Sequence, residues 1–306
     1  MNLIPSNQTN LYGLDKNLRL LISLYKNNKL PNKILLTGQK GIGKCTLAYH
    51  LINFVLSENE EYSYDEISLK INELNKSFKL IKNNVNPNFQ LIDITSGTKS
   101  INIDQIRDLI KNINKSSFNN RPNFILIDNT EYLNKNSINA LLKDLEEPNN
   151  KTYFILINNQ KKLLPTLISR CINFNIHLSY ANSIKVINKL LNDDVFNHIN
   201  HQLLDYYFTP GNIFNLCNFA NSNELNIKDL DLKDFLKILI KNNYFKKNIS
   251  LKYIFYDYIE LCLKNTSKKF KNNYYNYFVA KINELKKFNL DEESFFIEFK
   301  DKILNG

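Results

Sequence analysis

The sequence predicts an α/β fold in which a five-stranded parallel sheet flanked by helices is followed by an all-helical remainder. Three observations predict it. Short continuous apolar runs recur in the first half of the chain, separated by stretches of helical periodicity. Unbroken apolar strands of this kind are buried on both faces, as parallel strands are. The first run ends in a glycine-rich turn that opens a helix, and beyond about residue 179 the strand runs stop.

The elements follow in order. Lys33-Ile34-Leu35-Leu36-Thr37 reads as a buried strand ending at Gly38, and a helix is expected from about Lys44 to Leu56. The charged segment from about Ser57 to Asn88 has no strand pattern and reads as a helical insertion. Phe89-Gln90-Leu91-Ile92-Asp93 is the second strand. Asp104 is placed to cap a helix running through Ile106, Leu109 and Ile110. Phe124-Ile125-Leu126-Ile127 is the third strand, closed by Asp128, and a helix from about Asn136 to Glu146 stops before Pro148. Tyr153-Phe154-Ile155-Leu156-Ile157 and Ile172-Asn173-Phe174-Asn175-Ile176 complete the sheet. Gly38 and Asp128 both end strands, and parallel sheets bind ligands at that rim. Thr209-Pro210-Gly211 punctuates the helical region, and amphipathic helices follow about Leu225. The expected domains are 1–178, a small helical lid at 179–225 and a helical collar at 226–306.

Bulk properties exclude several classes. The 306 residues are 43% hydrophobic, enough for a real core, yet no run of about 18 apolar residues suggests a membrane span. The opening Met1-Asn2-Leu3-Ile4-Pro5-Ser6 lacks a basic region before an apolar stretch, so no secretory signal and a cytoplasmic location are expected. Cys45, Cys171, Cys217 and Cys262 lie far apart, with no C-x-x-C pair, which argues against a zinc ribbon or a disulfide framework. His198 and His201 are spaced to share a helix face, as metal ligands or as an ordinary polar face. A net charge of +10 fits an acidic partner such as DNA. Asn, Lys and Ile are heavily used along the whole chain, however, so composition bias explains the charge equally well.

The chemistry concentrates in Gly38-Gln39-Lys40-Gly41-Ile42-Gly43-Lys44, a G-x-x-x-x-G-K pattern after a strand and before a helix. Its glycines let backbone N–H groups cradle phosphates, and Lys44 would reach the terminal ones. Two positions depart from a hydrolytic site. Cys45 stands where a Ser or Thr hydroxyl helps hold magnesium, a hard cation that prefers oxygen. Thr46, one residue on, is rotated about 100° around the helix axis and does not replace it. Asn129 follows Asp128 where a Glu would orient the attacking water, and Asn is no general base. Glu131 is the nearest acid to recruit. The expectation is ATP or ADP binding that is weak or absent, with little or no turnover.

Three segments carry a family resemblance. Leu30-Pro31-Asn32-Lys33 through Tyr49, Asn139-Ala140-Leu141-Leu142-Lys143-Asp144-Leu145-Glu146-Glu147-Pro148, and Leu163-Leu164-Pro165-Thr166-Leu167-Ile168-Ser169-Arg170-Cys171 resemble the delta-prime subunits of bacterial DNA polymerase III clamp loaders, within the AAA+ family. The resemblance covers about the first 180 residues. It implies a trans arginine finger at Arg170, reaching ATP held by a neighbouring subunit. The alternative to the finger is a structural Arg that pairs with a carboxylate at a strand start. The resemblance further implies a first sensor at Asn158, where an ordinary loop Asn also fits. Asn212, after Thr209-Pro210-Gly211, occupies the place of the family's second-sensor Arg. No cysteine occurs in the insertion that often carries a zinc module, so no zinc is expected. Arg107 is a candidate DNA-phosphate contact or a solvated helix residue.

The implied function is a stator in a hetero-oligomeric ring that loads the sliding clamp onto primed DNA during replication, as part of the DNA polymerase III holoenzyme. Expected partners are gamma/tau-like and delta-like subunits, the sliding clamp and, through the assembled complex, primed DNA; no membrane is involved. A gamma/tau-like ATP-hydrolysing motor subunit and a small-molecule P-loop kinase are the competing readings.

Overall fold

The computed structural model describes residues 3–95, 98, 100–113, 121–146, 151–205, 208–247, 249–267, 273–288 and 291–305. Contacts divide the chain into two compact units, Met1–Asn182 and Ser183–Gly306. The second unit holds most of both helical regions distinguished in the sequence.

The first unit is built on five parallel strands: β1 (Lys33–Thr37), β2 (Phe89–Ile92), β3 (Asn123–Ile127), β4 (Thr152–Asn158) and β5 (Ile172–Asn175). Their order is β2-β3-β4-β1-β5. β1 is flanked on both sides, with Leu35 opposite Leu156 and Asn173. Its three central residues, Ile34, Leu35 and Leu36, are at most 1% exposed, as the unbroken apolar run requires. This is a parallel sheet flanked by helices, with a glycine-rich turn after β1, followed by a helical unit.

Helices cover both faces. On one, α4 (Ile103–Ile113), α5 (Lys135–Glu146) and α6 (Pro165–Ile168) lay Ile106, Leu109, Leu141, Leu145 and Leu167 over Leu35, Ile125, Phe154 and Leu156. Each fully buried Leu or Ile contributes roughly 2 kcal/mol. On the other, α1 (Asp15–Lys26) and α2 (Lys44–Leu56) pack together, and Tyr25 and Tyr49 meet Tyr153 and Phe89.

Two local expectations change. Asp104 lies inside the first turn of α4 rather than before it; the N–H of Asn102 is instead bonded to Gln105 Oε1 at 2.9 Å. A carboxylate in a first turn still complements the helix dipole. The insertion contains one short helix, α3 (Lys76–Lys82), and is otherwise mostly turns. Asp65 explains part of this. Its side chain accepts N–H bonds from Ile67 and Ser68, which close a turn that competes with helix, and Leu69 has a φ of 53°.

The second unit is helical among its described residues. Most of α7 (Tyr180–Leu191) precedes α8 (Pro210–Ser222), α9 (Leu232–Lys241), α10 (Tyr244–Lys247), α11 (Ile249–Ser267), α12 (Asn273–Phe288) and α13 (Glu292–Phe299). α11 packs against α8, α9, α10 and α12. Its Tyr258 is fully buried and donates to Leu203 O at 3.0 Å, so its hydroxyl is satisfied inside an aromatic core with Phe208 and Phe235. No helix among the described residues is long and apolar enough to cross a membrane.

Candidate functional site

The glycine-rich turn stands at the carboxyl end of β1. Its helix, α2, starts immediately after Gly43, whose φ of 94° favours glycine. Gly41 is also left-handed, at 89°. Gly38 is held by close packing. A Cβ there would lie 2.3 Å from the carbonyl oxygen of Ile176, just after β5, and 2.8 Å from Ile42 Cδ1.

Lys44 is 3% exposed and turned back onto its own loop. Its ammonium donates to Gly38 O at 2.8 Å, Gln39 O at 2.7 Å and Asn159 Oδ1 at 3.0 Å. Burial lowers its pKa to about 8, a shift opposed by the charges of Asp128 and Glu131. All three N–H directions of the ammonium are thereby used within the chain.

Beside it, the Cys45 thiol bonds to the Asp128 carboxylate. Burial pushes the thiol pKa well up, and the Asp128 charge adds to the effect. Asp128 is itself raised, by burial first and by the nearby Asp93 charge second. A protonated thiol on a carboxylate offers a hard cation one oxygen ligand fewer than a hydroxyl would. The glycine turn and the α2 N-terminus fit a phosphate, whereas the magnesium half of the site does not fit its ion. Thr46 follows on α2, half-buried. Among the described residues, no group of three or more His, Cys, Asp or Glu is arranged to hold a metal ion.

Asn129 has a φ of 54° and links strand ends. Its Nδ2 donates to Asp93 Oδ1 at 2.8 Å, after β2, and its Oδ1 accepts from Asn159 Nδ2 at 2.9 Å, after β4. Asn159 also donates to Glu131 Oε1 at 3.0 Å. Thr130, fully buried, donates to Ile157 O at 2.9 Å and pins this loop to β4. The network Asp93–Asn129–Asn159–Glu131 therefore meets Lys44 through Asn159.

Asn159 is the residue that sequence reasoning missed. Asn158, its neighbour, is the last residue of β4; its side chain bonds to the backbone of Lys161 at 2.9 and 3.2 Å. It is Asn159 that contacts Lys44. The signal was register: β4 runs one residue beyond the apolar stretch, which moves the first loop position on by one.

Arg170 lies just past α6, with its side chain 30% exposed. Its Nε donates to Glu146 Oε1 at 3.0 Å, its second terminal nitrogen bonds to the same oxygen, and Nη1 donates to Thr166 O at 2.8 Å. A carboxylate partner within the chain is thus present. Glu147 and Pro148, which end the second resembling segment, lie outside the described residues. Arg107 pairs with Asp104 at 3.3 Å on an exposed helix face. Asn212, on α8 in the second unit, donates its backbone N–H to Oγ1 of the capping Thr209. His198 pairs with Asp193 at 3.0 Å, and His201 stacks on Phe196, so each has a different neighbour.

Residues 13–179 match the family described as DNA polymerase III, delta subunit. A Pseudomonas aeruginosa relative named DNA polymerase III subunit delta' is 33% identical over 139 residues, covering 45% of this chain and 40% of the relative. A Buchnera aphidicola (subsp. Schizaphis graminum) relative named DNA polymerase III subunit gamma is 30% identical over 232 residues, covering 72% and 55%. The chain thus spans about half the length of these relatives. A gamma subunit-related structure from Thermotoga maritima aligns over 88% of this chain and 77% of its own, at 18% identity and a TM-score of 0.37.

Proposed function

The chain belongs to the DNA polymerase III delta subunit family, and from that premise we propose that it is a delta-prime-type stator of the clamp loader. In this reading it helps place the sliding clamp on primed DNA. It lends Arg170 to ATP bound by a neighbouring gamma/tau-like subunit, with a delta-like subunit completing the ring.

The observation that carries the reading is the residue chemistry at the rim of the nucleotide site. Cys45 and Asn129 remove the magnesium hydroxyl and the general base from the same rim. A subunit with such a site acts through what it presents to others. Arg170 is suited to this, because a guanidinium neutralises charge that builds on a terminal phosphate.

The test is a ring reconstituted from this chain, gamma-type and delta-type subunits, with clamp and primed DNA. Arg170→Ala should lower ATP turnover by about tenfold or more while the ring still assembles. Unchanged turnover in an intact ring removes the finger role.

The second reading is a motor subunit, because relatives named gamma match this chain over nearly as long a stretch as those named delta', 232 residues against 247 in two Buchnera aphidicola relatives. The readings separate in a single assay. A motor hydrolyses ATP as an isolated chain and loses that activity in Lys44→Ala; a stator shows only background.

A further inference from the structure

Arg170 is anchored from two elements. Glu146, the last residue of α5, takes Nε and one terminal nitrogen on Oε1, and Thr166 O, within α6, takes the other terminal nitrogen. Both helices are rooted in the same core: Leu141 and Leu145 of α5 and Leu167 of α6 are fully buried in one cluster. The anchors therefore hold still relative to each other. Glu146 has 52% of its side chain exposed and Arg170 has 30%, so the pair faces outward.

An exposed ion pair of this kind adds little to stability. A carboxylate at a helix C-terminus is also disfavoured by the helix dipole. Neither effect accounts for Glu146 as a fold-stabilising residue. What the pair does achieve is orientation. A free arginine samples many rotamers and loses that freedom when it docks; one already held on two sides has lost it beforehand.

We propose that Glu146 is a positioning residue for Arg170, fixing the guanidinium so that its remaining N–H groups face the terminal phosphate of a nucleotide held by a neighbouring subunit. This rests on the trans-finger reading of Arg170 given above. Glu146 makes no bond to the nucleotide and moves no proton. Its carboxylate holds and aims the arginine from the side away from the phosphate. A lysine at 170 does not meet both anchors, because it lacks the planar fork.

The experiment uses the reconstituted ring with gamma-type and delta-type subunits, sliding clamp and primed DNA, and reads kcat and KM for ATP separately. Glu146→Ala should lower kcat by about tenfold, as expected for a misaimed group, and leave KM unchanged. Glu146→Gln keeps an acceptor at the same place and should recover part of the loss. It also serves if the alanine variant fails to assemble. The melting temperature of the free chain should be the same for all three proteins. Loss of turnover in Arg170→Ala together with parental or raised kcat in Glu146→Ala overturns the positioning role and leaves the finger in place. Parental kcat in Arg170→Ala overturns the finger reading itself, and the positioning role with it.

Discussion

His50 is fully buried on α2, with Nδ1 2.8 Å from the hydroxyl of Tyr64. Burial lowers its pKa from 6.5 to about 4. The fold thus binds this proton more weakly than the unfolded chain does. The stability associated with neutral His50 is complete above about pH 6.5 and is lost progressively as pH falls toward 4. The shift corresponds to about 3 kcal/mol. Urea unfolding at pH 7 and at pH 4.5 should show a smaller acid-induced loss in His50→Phe than in the parent chain. Equal losses in the two proteins would show that another group sets the acid sensitivity. Residue-level legibility was uneven for a physical reason. Spacing revealed the glycines, Lys44 and Cys45, because a phosphate loop needs them at fixed intervals, and Asp128 was legible as the residue that closes an apolar strand. It did not separate Asn158 from Asn159. They are adjacent and chemically identical, and only the point where β4 stops decides which one reaches Lys44.

At the scale of elements, α3 depends on one side chain. Asn75 is fully buried and accepts from Phe78 N at 2.6 Å as the helix cap. It also accepts from Asn53 Nδ2 at 3.1 Å, on α2, and donates to Tyr62 O at 2.7 Å. Asn75→Ala removes the cap and strands a buried amide and a carbonyl together. The expected loss is about 2–3 kcal/mol, read from the urea midpoint at constant slope. A change below about 0.5 kcal/mol, the range of an ordinary surface substitution, would contradict this account. The strands were legible because burial on both faces leaves a continuous apolar run with few alternatives. The insertion was less so. Its charges suggested helix, yet Asp65 and the asparagines offer the backbone turn partners that compete with it, and those bonds are not visible in periodicity.

Over the whole molecule, the stator reading separates stability from turnover. Lys44→Ala leaves Gly38 O, Gln39 O and Asn159 Oδ1 without their ammonium donor. The free chain should lose about 1–3 kcal/mol in urea unfolding. Turnover per assembled ring should stay at the parental level, because the hydrolysed nucleotide sits on other subunits. A parallel fall in turnover would instead favour the motor reading. Composition was the weakest guide at this scale. The net charge of +10 is spread through a chain rich in Lys and Asn, and Arg107, the residue picked for a DNA contact, has an acidic partner one turn away.

The packing of Gly38 has a consequence for which changes such a site tolerates. The space for its side chain is already filled by the carbonyl of Ile176, a backbone atom that cannot step aside. Substitutions can erase the thiol-for-hydroxyl position or the general base without disturbing the sheet. At Gly38 the sheet itself refuses them. The sheet therefore requires a glycine at this turn whether or not nucleotide is hydrolysed there, and its presence in a sequence speaks for the fold rather than for catalysis.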